Sequence, residues 1–182
     1  VTFKPWNEMG LKGGEVIKLL RQGLFDVGTT VLGFLAGEAA INDALDLAGA
    51  STSIDMVQDA MAAFRPHLDA YYAKNQQVKV LGVTSYGDQV LYCRKEFNGL
   101  SDLKGRKVRV SGSSQADFVE YFGGSGINMP FGDVQQGLQN GVIDCAITGI
   151  LGGYKAKWYE GATYLYRLPI NFAASVTAVN MK

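Results

Sequence analysis

The chain has 182 residues, of which 47% are hydrophobic and 19% charged, the make-up of a folded globular protein rather than a disordered or fibrous one. Lys plus Arg and Asp plus Glu balance at 17 each, so no excess positive charge points to nucleic acid or an anionic membrane surface, and no run approaches the ~20 apolar residues that span a bilayer. Cys93 and Cys145 have no CxxC or Cys/His spacing, and His67 is the single histidine; neither a zinc site nor a Cys-His or Ser-His-Asp arrangement is supported, and no cofactor is implied.

In chain order, residues 1–6 read as a short strand ending at Pro5, with no leader-like pattern at Val1, so any export signal is expected to have been removed. Residues 13–22 carry apolar side chains at helical spacing, Gly23 stands where a left-handed C-cap belongs, and residues 24–30 read as a buried strand. The same helix-glycine-strand unit recurs at 131–140, Gly141 and 142–147. Leu20, Gly23 and Asp26 match Leu138, Gly141 and Asp144 at a constant offset. That hints at two similarly built lobes, although the unit is common in any α/β protein. Between them, residues 53–74 read as one or two helices with a break at Arg65-Pro66, and 78–83 and 90–93 as strands. Residues 100–105 read as a loop and 107–110 as a further strand. A helix over 115–122 is capped by 111–114 and stopped by Gly123-Gly124. This α/β alternation predicts largely parallel sheets covered by helices, with ligand bound beyond the carboxyl ends of the strands, at Thr29-Thr30, Tyr86, Ser111-Gly112 and Thr148-Gly149.

Arg109 is the leading candidate for chemistry. Val108 and Val110 should face one way and leave it facing the other, at a strand end beside a glycine-serine loop, where a guanidinium can clamp a carboxylate through two parallel hydrogen bonds. The alternative is a surface arginine. The glycine-rich stretches 111–113 and 123–126 lack phosphate-loop spacing and read as turns. Asp26 and Asp144 sit at equivalent places after a helix cap, so backbone hydrogen bonding explains both better than acid/base chemistry. Phe34, Tyr86, Phe131, Tyr154, Trp158 and Phe172 lie near loops; most such aromatics are core, and a minority line clefts.

The blocks Asp102-Leu103-Lys104-Gly105-Arg106-Lys107-Val108-Arg109-Val110, Met129-Pro130-Phe131-Gly132-Asp133-Val134 and Leu138-Gln139-Asn140-Gly141-Val142-Ile143-Asp144, in that order, resemble the DctP-like solute-binding proteins of tripartite ATP-independent periplasmic (TRAP) transporters. Segments 11–27 and 157–160 also resemble that family. The resemblance implies a two-lobed, type II-like Venus-flytrap fold, lacking here the first strand and helix of lobe one and the C-terminal helices. Lobe one is expected over 1–86, lobe two over 87–172 and a return strand over 173–182, with Tyr86-Gly87-Asp88-Gln89 as the crossover. It further implies a periplasmic receptor, not an enzyme, that delivers a small organic acid to sodium-coupled TRAP membrane subunits. Arg109 falls on the family's carboxylate-pairing arginine, Phe131 on an aromatic of the cleft, and Thr148 on a polar ligand contact. Gln89 stands where sugar-acid binders carry a second arginine, which argues against a sugar acid. Ser111-Gly112-Ser113 replaces a proline-containing turn. Tyr86, Phe34 and Ser111 complete the expected lining. In that family the hinge-crossing strand runs beside the strand of residues 142–147, which would place Cys93 near Cys145, bonded or free. Two other classes share the architecture: a regulator's effector-sensing domain, which would need an adjoining DNA-binding segment, and an enzyme, which would need a catalytic constellation.

Overall fold

The structure, a computed structural model, describes residues 2–6 and 8–181. Residues 2–5 form no strand; Val1 lies outside the described residues. The Pro5 carbonyl instead accepts turn hydrogen bonds from the Glu8 and Met9 amides, at 3.0 and 3.3 Å, and Trp6 packs edge-on against Phe34 with centroids 6.3 Å apart. Proline lacks the N–H that a ladder needs, and an aromatic contact draws the segment elsewhere.

A short 3₁₀ turn, Gly13–Glu15, leads into α1 (Val16–Arg21), which buries Val16, Ile17 and Leu20 and ends before Gly23 in the left-handed region at φ +81°. β1 (Val27–Val31) follows. It starts later than the apolar run suggests, because Leu24 is exposed. α2 (Ile54–Tyr71) is capped by Ser53, whose Oγ accepts from the Met56 amide at 3.3 Å. The expected break at Pro66 does not occur: the helix runs through it and continues as a π-helical turn, Tyr72–Gln76. Pro66 and Ala62 are both exposed, so the carbonyl deprived of its i+4 N–H faces water, which satisfies it. His67 is exposed on the same helix.

The remaining elements are β2 (Val78–Ser85), β3 (Gln89–Cys93), β4 (Lys107–Val110), α3 (Ser113–Tyr121), β5 (Ser125–Asn128), α4 (Val134–Gln139), β6 (Cys145–Gly149), α5 (Ile150–Lys155), β7 (Tyr164–Asn171) and β8 (Ala174–Asn180). They build two sheets, one in the order β1-β8-β2 and one in the order β5-β4-β6-β3-β7. The sheets are not largely parallel. β8 runs antiparallel to both its neighbours, as does β3 to β6 and β7, and only β4 pairs in parallel, with β5 and β6. The cause is topological. The chain passes from the first sheet to the second between β2 and β3 and back between β7 and β8, and each arriving strand inserts against the prevailing direction.

Each sheet has its own core. The first packs Val80, Val176 and Ala178 against Leu20, Val57 and Leu68 of α1 and α2. The second is covered on both faces: Leu91 and Cys93 point into a cluster with Val108, Val119 and Ile147, while Val90 and Tyr92 point into another with Leu138, Ile143 and Trp158. Hence every residue of β3 is buried, as a strand with two covered faces requires. Cys93 and Cys145 face each other across β3 and β6, Cα atoms 4.1 Å apart, and are joined by a disulfide.

Both passages between the lobes use left-handed backbone, Gly87 at φ +94° and Ala173 at φ +52°. The loop 43–49, from the first lobe's part of the chain, is stitched to α3: Asp43 Oδ2 accepts from the Ser114 amide at 2.7 Å and the Ser113 hydroxyl at 2.8 Å, and the Ala48 amide donates to Ser114 Oγ at 2.6 Å.

Candidate ligand-binding site

Between the sheets lies a cleft of about 530 Å³, within the ~300–1,000 Å³ of small-molecule sites. It lies where the strand-end rule points. Ser111 follows β4, Thr148 and Gly149 close β6, and Tyr86 follows β2; all of these line it. Phe34, Gln89, Arg109 and Phe131 line it too, so the structure brings all seven sequence-derived ligand residues into one cavity. Thr29 and Thr30 are not among its lining residues; Thr30 donates instead to the Gly13 carbonyl at 2.6 Å. Of the other aromatics, Trp158 is wholly buried behind the cleft, Phe172 belongs to the first lobe's core and Tyr154 is exposed.

The alternation of β4 places Arg109 with the cleft. Val108 and Val110 enter the core on one face, and Arg109 turns to the other, yet it is only 2% exposed. Its Nε donates to the Met129 carbonyl at 3.0 Å and its Nη1 to the Ile147 carbonyl at 2.9 Å. The guanidinium carbon lies 5.9 Å from the Phe131 ring centroid and 5.7 Å from that of Trp158. Nη2 is buried and has no hydrogen-bond partner, and among the described residues no carboxylate pairs with the side chain. Burial pushes the guanidinium down to about 10, still well above neutrality, so the group stays charged. A fixed cation with a vacant donor edge is therefore held in a dry place by two carbonyls and two aromatic faces.

The other polar groups are partly committed. The Gln89 amide nitrogen donates to the Gly87 carbonyl at 2.9 Å, and the Ser111 hydroxyl and amide both donate to Gln115 Oε1, at 3.0 and 2.8 Å. Gln115 continues a buried chain that sequence reasoning missed. Its Nε2 donates to Asn171 Oδ1 at 2.8 Å, and Asn171 Nδ2 donates to Asp46 Oδ2 at 2.8 Å. Asp46 also accepts from the Phe172 and Ala174 amides at 2.7 and 3.2 Å. Burial pushes its carboxyl up, against the pull of these N–H donors. The chain ties the cleft loop to the return passage between β7 and β8. Trp6, Asp88, Ile150, Leu151, Lys155 and Ala173 also line the cleft and were not anticipated. Ile150 and Leu151 directly follow the end of β6, so the strand-end rule could have reached them, whereas nothing local marks Trp6. Asp144 accepts the Lys107 amide at 2.9 Å, a structural role; Asp26 is exposed, and its main-chain carbonyl takes the Asn180 amide at 3.3 Å.

The lobes touch at glycine. A Cβ on Gly112 would lie 3.1 Å from the Gly33 carbonyl oxygen and 3.2 Å from its Cα, tighter than ordinary van der Waals contact, so a side chain there would force the two segments apart by a few tenths of an ångström.

The chain belongs to the family of bacterial extracellular solute-binding proteins, family 7 (DctP), whose model matches residues 1–182. Its fold is similar to that of the Bordetella pertussis receptor DctP7, which binds pyroglutamic acid: TM-score 0.88 and 23% identity, over 96% of this chain and 58% of that one. A TRAP periplasmic solute-binding protein from Pseudomonas putida F1 with bound D-glucuronate matches at TM-score 0.86 and 22% identity, over 93% of this chain and 56% of that one. One from Desulfovibrio salexigens with bound orotic acid matches at 0.82 and 20%, over 90% and 53%. The two-lobed solute-receptor fold is thus established, and the chain spans a little over half the length of these structures. No helix among the described residues is long and apolar enough to cross a membrane.

Proposed function

We propose that the chain forms the ligand cleft of a periplasmic receptor that captures a small organic acid and presents it to sodium-coupled TRAP membrane subunits. The observation that carries this reading is the vacant Nη2 of Arg109, a buried cation without a counter-ion lining a cleft between two lobes. An uncompensated buried charge is costly, and a ligand carboxylate relieves it with charge-assisted hydrogen bonds. In this reading Phe131 and Phe34 wall the acid, Thr148 and Gln89 offer it polar contacts, and Tyr86 and Ser111 sit at its edges. The passage 86–89 serves as hinge, with Gly87 taking up the backbone change. The Cys93–Cys145 bond suits an oxidising compartment. No chemical step is assigned to the cleft.

A thermal-shift screen against mono- and dicarboxylates, keto acids and aromatic acids tests the proposal, since a ligand at ~100 times its dissociation constant adds roughly 2.7 kcal/mol of stability. At least one acid should raise the melting temperature and be recovered chemically unchanged. Stabilisation by none of them, or turnover of the one that binds, would refute the receptor reading.

A further inference from the structure

The charged and apolar groups around Arg109 narrow the acid itself, and this step rests on the receptor reading above. We propose that the preferred ligand is a monocarboxylate with a ring-shaped, largely apolar body, and that dicarboxylates and polyhydroxylated sugar acids are disfavoured.

The cleft holds one buried cation. The other charged side chains that line it are Lys155, which is exposed, and Asp88, which is half-buried. A ligand's first carboxylate takes Arg109. A second would find no other desolvated cation and would share the cavity with the Asp88 carboxylate, where like charges cost free energy that a mobile, solvated lysine does not recover.

Hydroxyl groups fare little better. A sugar acid must pair nearly every hydroxyl it buries, and each one left unpaired costs about 1–3 kcal/mol. Ser111 has already given its hydroxyl hydrogen to Gln115, and Gln89 has spent one of its two amide N–H groups on Gly87, which leaves it one donor and its amide oxygen. Thr148, 7% exposed and with free bonding capacity, marks a place for one polar atom rather than a string of them. The rest of the wall is apolar and aromatic from both sides. Trp6 and Phe34 form an edge-to-face pair on the first lobe, opposite Phe131, Ile150 and Leu151 of the second. Phe131 already lies tilted against Trp158 with centroids 5.1 Å apart. A flat ring seated between such walls keeps its apolar faces out of water while its carboxylate reaches Arg109.

The test is calorimetric titration of the whole chain with phenylacetate, phenylacetamide, succinate and D-glucuronate, in wild type and in Asp88→Asn. Phenylacetate should bind at least about tenfold more tightly than succinate or glucuronate. Phenylacetamide, the same body without the charge, should not bind measurably. Asp88→Asn should strengthen succinate binding by a clearly larger factor than phenylacetate binding. Succinate or glucuronate binding as tightly as phenylacetate would overturn the ligand class while leaving the receptor standing. Phenylacetamide binding as well as phenylacetate, or no carboxylate binding to protein that melts cooperatively, would instead overturn the receptor reading on which this rests.

Discussion

Replacing Arg109 with Met separates what this side chain does for the ligand from what it does for the fold. Burial pushes the guanidinium from its ordinary value down to about 10, so keeping it charged in place costs about 3 kcal/mol at about 1.4 kcal/mol per pH unit. For a base whose folded value lies below its unfolded one, the unfolded chain holds the proton more tightly. The penalty is therefore present at every pH below about 10 and is relieved as pH rises from there towards the unfolded chain's ordinary value. Arg109→Met removes it. The same change also removes the bonds to the Met129 and Ile147 carbonyls, each worth roughly 1.5–3 kcal/mol when the donor is charged. These terms partly offset, so the ligand-free variant should be at most about 3 kcal/mol less stable than wild type. Nothing offsets the loss at the ligand. Deleting one partner of a buried charge pair costs about 2–5 kcal/mol, an affinity loss of roughly 30- to several-thousand-fold. Arg109→Lys keeps the charge but not the planar fork, and should lose at least about tenfold. The assay pairs urea unfolding of the ligand-free proteins with calorimetric titration of the most stabilising acid. Affinity within about threefold of wild type in folded Arg109→Met would refute the argument.

Three further outcomes follow from the fold. Replacing both Cys93 and Cys145 with Ala should lower stability by up to about 4 kcal/mol, the chain-entropy value for their sequence separation of 52; two free thiols in the unfolded wild type, titrated without reductant, would contradict the bond. Gly112→Val should push the lobes apart at the Gly33 approach and cost about 1–3 kcal/mol of binding, read by titration and by a larger radius of gyration in solution scattering with ligand. Unaltered affinity would show that the bound form does not need this contact. Pro66→Ala should stabilise α2 by about 1–3 kcal/mol, because the helix already runs through that position; a loss of stability in urea unfolding would count against the uninterrupted helix.

What the sequence discloses here is what short-range rules can carry. The turn of the chain at Gly23 and Gly141 is legible because left-handed backbone selects glycine. The placing of Arg109 is legible because alternation along four residues sends it away from Val108 and Val110. Strand direction is not. β8 enters between β1 and β2 after the 88 residues, 86–173, that separate it from β2's last residue, Ser85, and no local pattern records which neighbours a strand will choose. Pro66 misleads for a related reason: its cost depends on whether the freed carbonyl meets protein or water, a tertiary fact. The Ser111-Gln115-Asn171-Asp46 chain is invisible in sequence because its members come from three separate segments, and so is Trp6, whose place in the cleft depends on a long-range contact with Phe34.

The central claim is that the vacant edge of Arg109 receives a carboxylate, and a crystal structure of the protein with its most stabilising acid tests it most directly. A carboxylate oxygen should lie about 2.7–2.9 Å from Arg109 Nη2, the spacing of a charge-assisted hydrogen bond, with the bonds from Nε to Met129 and from Nη1 to Ile147 retained. An acid held elsewhere, with Nη2 still unpaired or satisfied by the protein's own groups, would contradict it.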